Sequence, residues 1–391
     1  MSELFLKPFY ERFLGKILIF SLVFYLVVSV FQKATKYFFI LDTIQPFISF
    51  IKLMFFVFFT GILVLNYKSV KTLLNYLIIL FLIFLIANFY FFSDASFEFY
   101  ESISNGNIFC FIKYLYPFIF IGVFSLIKNN KEIIHIFFSI IESVLVANAF
   151  FIFIGFIFSI DYFQSYPHSF RFGYSGILDR VFLVNFSITI ISRWIFIKKM
   201  DWRFYVMSLG ALLTGTKLIL LFFTILAIYY LYEKGKTKWL FFLSSILLIG
   251  LVFYREIIIF MTKLFPFWQP LLIKQEYITI IFSRRNLNFS RIIEYLEVEG
   301  TIKNLLIGGI EFPKYLVEMD FVDLFLFFGL IGGVIYIILL SKIINKFYHI
   351  IPLLSTFFVG GFFIGTITMS TYLLWCYESN LEKNKLFCKI Q

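Results

Sequence analysis

The sequence predicts an all-α polytopic membrane protein with about 11–12 transmembrane helices. One integral membrane domain covers residues 1–391, with a long loop inserted at 255–319. Three observations predict this class. The chain is 61% hydrophobic and only 15% charged, too few polar side chains to cover a soluble surface. Apolar runs of roughly 20 residues, the length a bilayer crossing needs, recur from end to end. Lys and Arg collect in short segments between those runs, as cytoplasmic loops require.

The first run, 13–31, is longer than the apolar core of a signal peptide, and no small-residue cleavage site follows it. It reads as a retained helix with Lys7, Arg12 and Lys16 inside. Runs at 47–65 and 73–92 flank a basic inner turn containing Lys68 and Lys71. The segment 93–107 carries Asp94, Glu98 and Glu101 without Lys or Arg, and so faces out. Runs at 109–126 and 133–158 join inside at Lys128 and Lys131. An outer loop from Asp161 to Arg180 leads to a run at 181–197, which ends inside at Lys198, Lys199 and Arg203.

Residues 203–232 are apolar, with basic residues on both flanks, so this stretch must cross twice. The break at Leu213-Thr214-Gly215-Thr216-Lys217 makes it a hairpin of two short helices with Lys217 at its outer tip. A run at 239–254 follows, and parity places 255–319 outside. The eight Lys and Arg of that segment do not oppose this, because long loops escape the charge rule. The run at 321–340 returns inside at Lys342 and Lys346. Residues 350–377 form one long helix or a hairpin broken at Gly360-Gly361, and the basic tail (Lys383, Lys385, Lys389) favours the hairpin.

Composition also excludes function classes. The net charge of +11 follows from topology, and no basic block suggests nucleic acid. Cys110, Cys376 and Cys388 are odd in number and scattered, which argues against a disulfide framework or a zinc site. His135, His168 and His349 lie far apart, which argues against a His-based metal site.

Four segments carry candidate chemistry. In the long loop, Ser290 reads as the N-cap of a short helix ending near Gly300, with Arg284, Arg285 and Arg291 near its start. Helix N-termini and arginine forks suit phosphate, although each arginine would also suit a solvated face. Lys217, beside Thr214, Gly215 and Thr216, either faces a cavity or snorkels to the interface. Glu318, Asp320 and Asp323 stand where the last long run begins. They suit either the helix dipole or a general base, and Glu318 with Asp320 is only a weak metal pattern. The loop from Arg171 to Arg180 sets two arginines among aromatics and glycines, a mixture that suits sugar rings and diphosphate. Glu142, Lys52 and Lys113 are charges inside or near apolar runs.

In order along the chain, these segments resemble the O-antigen polymerase (Wzy) group of the O-antigen ligase/polymerase superfamily. The matching stretches are Gly210 to Lys217, Ser290-Arg291 with Tyr295, Leu305-Leu306-Ile307-Gly308-Gly309, Glu318 to Asp323, Phe328-Gly329-Leu330-Ile331-Gly332, and Arg171 to Gly176. The resemblance covers roughly residues 165–340; the first half matches only as a string of spans. It implies a metal-independent, cofactor-free glycosyltransferase of the C type in the bacterial inner membrane, acting at the periplasmic face. Donor and acceptor would be undecaprenyl-pyrophosphate-linked glycans, with membrane lipid and a chain-length regulator as partners. Glu318 or Asp320 would be the catalytic base. Lys217, Arg284, Arg285, Arg291, Arg171 and Arg180 would hold diphosphate and glycan. Lys217 stands where many members have Arg, so a bidentate grip is lost there. Ligases of the superfamily carry a His in the last outer loop, and 255–319 has none, which favours polymerase over ligase. A lipid-linked oligosaccharide flippase or other transporter is the alternative of a different class. It would place its charges along a central pathway rather than in one late loop.

Overall fold

A bilayer core offers no water to backbone N–H and C=O groups, so a chain this apolar must close its backbone bonds within helices. The computed structural model of the protein does so. It describes residues 2–38, 41–89, 106–127, 130–166, 171–197, 200–264, 269–274, 276–298, 300–310, 312, 314–356 and 360–380. In order the helices are α1 (Ser2–Tyr37), α2 (Leu41–Leu65), α3 (Tyr67–Ala87), α4 (Asn107–Ser125), α5 (Asn130–Phe158) and α6 (Arg180–Ile197). Then come α7 (Trp202–Leu212), α8 (Lys217–Glu233), α9 (Thr237–Val252), α10 (Tyr254–Leu264), α11 (Gln269–Ile273) and α12 (Tyr277–Ile281). The last are α13 (Arg285–Val298), α14 (Ile302–Ile307), α15 (Asp320–Ile343), α16 (Ile350–Thr356) and α17 (Thr366–Glu378). Among the described residues there is no strand, only an isolated bridge between Gln164 and Tyr174.

The protein is therefore an all-α polytopic membrane protein. Among the described residues, seven helices are long and apolar enough to cross a bilayer: α1 from Tyr10, α2 from Pro46, α3, α4, α5, α6 and α15. The break expected between two short crossings falls between α7 and α8, at 213–216. The break expected near Gly360 falls between α16 and α17.

Contacts define two ends of the bundle. At one end, Asp320 at the head of α15 meets Gly361, Phe362 and Phe363 just before α17. At the other, Asn380 after α17 donates to Ile343 O at the foot of α15. The chain thus returns across the bundle between Ile343 and Gly361, as the hairpin reading requires. The centre is α4, whose span is 83% buried, against 33% for α2 and 39% for α3 at the periphery. Its Tyr114 packs edge-on against Tyr336 of α15, ring centroids 5.9 Å apart.

Near the Asn380 end a buried ion cluster joins three helices. Arg193 of α6 donates to Glu142 of α5 at 2.9 Å and, through two nitrogens, to Glu378 of α17 at 2.7 Å each. Its guanidinium lies 4.0 Å from the centroid of the Phe138 ring. The parallel two-bond geometry satisfies a fork that would otherwise be unpaired in an apolar interior.

Two glycine motifs share one contact. Gly329 breaks the regular dihedrals of α15 (φ 68°, ψ −178°), and a β-carbon there would lie 2.3 Å from Ile307 N. A β-carbon on Gly308 would lie 2.1 Å from Phe327 O. The end of α14 therefore packs backbone to backbone on α15.

Several expectations need correction. The long segment 255–319, for which one short helix was expected, holds α10 to α14, with a small core of Ile258, Leu271 and Ile280. Lys68 and Lys71 lie in the first turns of α3, which begins at Tyr67 and kinks at Val70, rather than in a separate turn. Ser290 caps nothing. The helix starts at Arg285, and the Ser290 hydroxyl donates to Asn286 O one turn earlier, the usual bond of a mid-helix serine. The acidic segment around Asp94, Glu98 and Glu101, the residues Lys128, His168, Lys198 and Lys199, and the tail with Lys383, Lys385, Cys388 and Lys389 lie outside the described residues.

Arg193→Ala removes the guanidinium that links α5, α6 and α17. Breaking a buried ion pair from one side costs about 3–5 kcal/mol. The variant in detergent should melt well below wild type, and equal melting would show that the cluster does not hold these helices.

Candidate functional site

The site sits at the Asp320 end and is built first from backbone. The turn after α5 and the tip between α7 and α8 touch so closely that side chains are excluded. A β-carbon on Gly173 (φ 143°) would lie 2.1 Å from Thr214 O, and one on Gly215 (φ 65°) 2.3 Å from Phe172 O. Tyr174 N–H donates to Leu213 O at 2.8 Å, and the Ser165 hydroxyl to Thr214 O at 3.0 Å. Only glycine, with no β-carbon, allows such an approach of backbone to backbone. The contact brings Arg171 and Lys217, 46 positions apart in the chain, to one place.

Lys217 then ties in the segment before α13. Its ammonium donates to Ile280 O, to Ile281 O at 3.1 Å and to the Ser283 hydroxyl at 3.1 Å. Ser283 and Arg284 both take left-handed dihedrals (φ 53° and 70°), as does Glu318 (φ 65°). Among the described residues, four non-glycine positions have positive φ, and three of them are in this site. Each such residue costs roughly 1–2 kcal/mol, a strain that collects where function requires it. The turn at 283–284 aims Arg285 at the segment before α15. Its Nε donates to Glu318 O at 2.9 Å, and its Nη2 lies 3.4 Å from Glu318 Oε2.

Five of the six expected cations share this place. Arg171 and Arg180 pack on the Tyr166 ring, their guanidinium carbons 4.6 and 4.2 Å from its centroid. Burial lowers the pKa of Arg171, and the charges of Arg180, Arg284 and Arg285 lower it further. Burial likewise lowers Arg285, and Glu318 works against that shift. Arg171 and Arg285 both act on Lys217. Arg291 is the exception. It is exposed on α13, and six residues beyond Arg285 is about 240° around a helix, so it leaves the face that Arg285 presents.

The three carboxylates separate by environment. Asp320 is 2% exposed, and its oxygens accept from the backbone N–H groups of Gly361 (2.8 Å), Phe362 (3.1 Å) and Phe363 (3.3 Å). Asp323 is 3% exposed and accepts from Val317 N (2.8 Å) and Met319 N (2.9 Å). Both are committed to backbone donors. Glu318 stands between the two segments they hold, its side chain 56% exposed beside the arginines. Of the two bases expected from sequence, Glu318 has the exposed carboxylate and Asp320 the buried one. Among the described residues no group of three His, Cys, Asp or Glu is placed to hold a metal ion.

Sequence reasoning missed Tyr166, for which an aromatic five residues before Arg171 in an outer loop was the available signal. It also missed the partners of Asp320, which lie some 40 positions away at backbone atoms and carry no side-chain signature. Compared with known proteins, the chain matches no family model, no curated protein and no solved structure.

Asp320→Asn turns one acceptor oxygen into a donor that faces buried N–H groups, a mismatch costing about 1–3 kcal/mol. The variant should melt below wild type, whereas Glu318→Gln should melt with it. The opposite order would reverse the roles assigned here.

Proposed function

We propose that this protein is a polysaccharide repeat-unit polymerase, a glycosyltransferase of the bacterial inner membrane acting at the periplasmic face. It joins undecaprenyl-diphosphate-linked oligosaccharides into O-antigen or a related surface polymer. The observation that carries the reading is the clustering of Arg171, Arg180, Lys217, Arg284 and Arg285 at one end of a membrane bundle, with the exposed carboxylate of Glu318 paired to Arg285. Such a cluster suits a reaction whose leaving group is a diphosphate and whose nucleophile is a hydroxyl.

The reaction divides as follows. The growing glycan is joined through its anomeric carbon to the diphosphate of its lipid carrier. An acceptor sugar hydroxyl on a second lipid-linked unit attacks that carbon. The new C–O bond forms as the bond to the diphosphate breaks, and the bonding pair leaves on the diphosphate oxygen. Lys217, Arg284 and Arg285 hold the charge that develops there, preorganised by the strained turn and by the Lys217 contacts. Glu318 takes the hydroxyl proton. Its left-handed backbone, fixed by the bonds of Asp323 and Arg285, keeps the carboxylate beside the cations. Arg171, Arg180 and the Tyr166 face supply a platform for the sugar ring and diphosphate.

In a strain lacking the chain, the surface glycan should stop at a single capped repeat. A ligase mutant would instead show bare core, and a flippase mutant no repeat at all. Returning the wild-type gene should restore the ladder, and returning Glu318→Gln should not. Arg285→Ala should slow polymerisation by about 10²–10³-fold, the usual effect of losing one preorganised charge contact. A full ladder from the Glu318→Gln strain would remove Glu318 from the chemistry.

A further inference from the structure

A second positive region lies inside the bundle. Lys52 of α2 and Lys113 of α4 face one Phe109 ring, their ammonium groups 5.9 and 4.1 Å from its centroid. Lys52 also lies 5.6 Å from the centroid of the Tyr25 ring of α1. It is 9% exposed, so it points into protein rather than lipid. It stands six residues beyond Pro46, where the apolar span of α2 begins, about 9 Å along the axis, with its ammonium beside the Tyr25 and Phe109 rings. Among the described residues neither ammonium has a hydrogen-bond acceptor or a carboxylate in ion-pair range. Lys113 instead acts on Lys52 as a like charge.

An independent observation marks the same place. The hydroxyls of Tyr25 and Tyr116 are buried without a hydrogen bond of normal geometry. Their rings meet at 5.7 Å, and Tyr25 also faces Thr366 at the head of α17. Two ammonium groups without an acceptor stand beside two buried phenols whose only near partners among the described residues are each other, Thr366 and Ser21, a poorly satisfied set of donors. Such groups inside a membrane protein persist where a ligand or pathway satisfies them. One carboxylate would neutralise only one lysine. A diphosphate brings two negative charges and enough oxygens for all four donors.

We propose that Lys52 and Lys113, with the hydroxyls of Tyr25 and Tyr116, form a diphosphate-binding subsite within the bundle, separate from the surface cluster. It shares no residue with that cluster, yet Asp179, the neighbour of Arg180, acts on Lys52, so the two regions lie close together. If the reading as a polymerase holds, on which this assignment of the ligand rests, the two positive regions take the heads of the two lipid-linked substrates.

The test is binding to purified full-length protein in nanodiscs, with polyprenyl diphosphate, inorganic diphosphate and polyprenol as separate probes. Lys52→Met and Lys113→Met should each weaken diphosphate binding by about ten- to a hundredfold, the weight of a charged hydrogen bond, and Lys52→Arg should restore most of it. A lipid-borne head is the ligand if polyprenyl diphosphate binds more tightly than inorganic diphosphate while polyprenol fails. A free anion is the ligand if both diphosphates bind alike and both are lost in the variants. Ligand-free Lys→Met variants should melt no lower than wild type, because only unpaired charge is removed. Unchanged binding of both diphosphates in these variants overturns the subsite, and so does a variant that melts far below wild type. Polymer formation is scored separately. Lost binding in a protein that never elongates glycan leaves the subsite standing and removes the polymerase reading. Elongation with unchanged binding does the reverse.

Discussion

Asp320 accepts from three consecutive backbone N–H groups at 361–363, and the arrangement above it depends on that contact. The segment before α17 has no regular structure to satisfy those donors, and burying them unpaired at the bundle end would be costly. One carboxylate satisfies them and fixes the head of α15 against the turn before α17. Asp323, one turn on, holds Val317 and Met319 from the other side. Between these clamps Glu318 is kept in a left-handed conformation and cannot relax away from Arg285. The Arg193 cluster at the far end ties the other end of α17 to α5 and α6. The last helix is thereby held at both of its ends by carboxyl groups, Asp320 at its head and Glu378 at its foot, in a bundle whose other contacts are mainly apolar.

The surface cluster assembles like charges against their repulsion. Lys217 is the first residue of α8, where the helix dipole is already positive. Arg171, Arg180, Arg284 and Arg285 add to it, and Glu318 offsets only part. The opposing work comes from backbone: the Gly173–Gly215 contact, the lysine bonds to Ile280 and Ile281, and the strained turn at 283–284. A site so arranged is positive before any ligand arrives, as the proposed reaction requires for a departing anion to be met without reorganisation.

The class of the protein was legible in the sequence because hydrocarbon imposes a simple rule, about 20 apolar residues per crossing and basic residues in short loops. The α7–α8 break was legible for the same reason: both flanks of 203–232 are basic. Lys217 and the arginines stood out because charge is scarce in this chain. Inside 255–319 the helix α13 was legible except for its start, but α11, α12 and α14 were not, since they have only 5 or 6 residues and rest on neighbours rather than on their own periodicity. Ser290 misled because its spacing imitates a cap while the true start is set by a left-handed turn at Arg284. The division of labour between Glu318 and Asp320 depends on backbone partners distant in the chain, and Lys52 with Lys113 looked like two unrelated curiosities until α2 and α4 set them on one ring.

The most direct measurement is elongation by the purified protein alone. Reconstituted in vesicles with one undecaprenyl-diphosphate-linked oligosaccharide in chelator, it should yield lipid-linked glycans of two, three and more repeats. Free undecaprenyl diphosphate should be released, one for each bond formed. Substrate that crosses the bilayer without growing, or that remains at a single repeat while the protein is folded and binds it, would contradict the account.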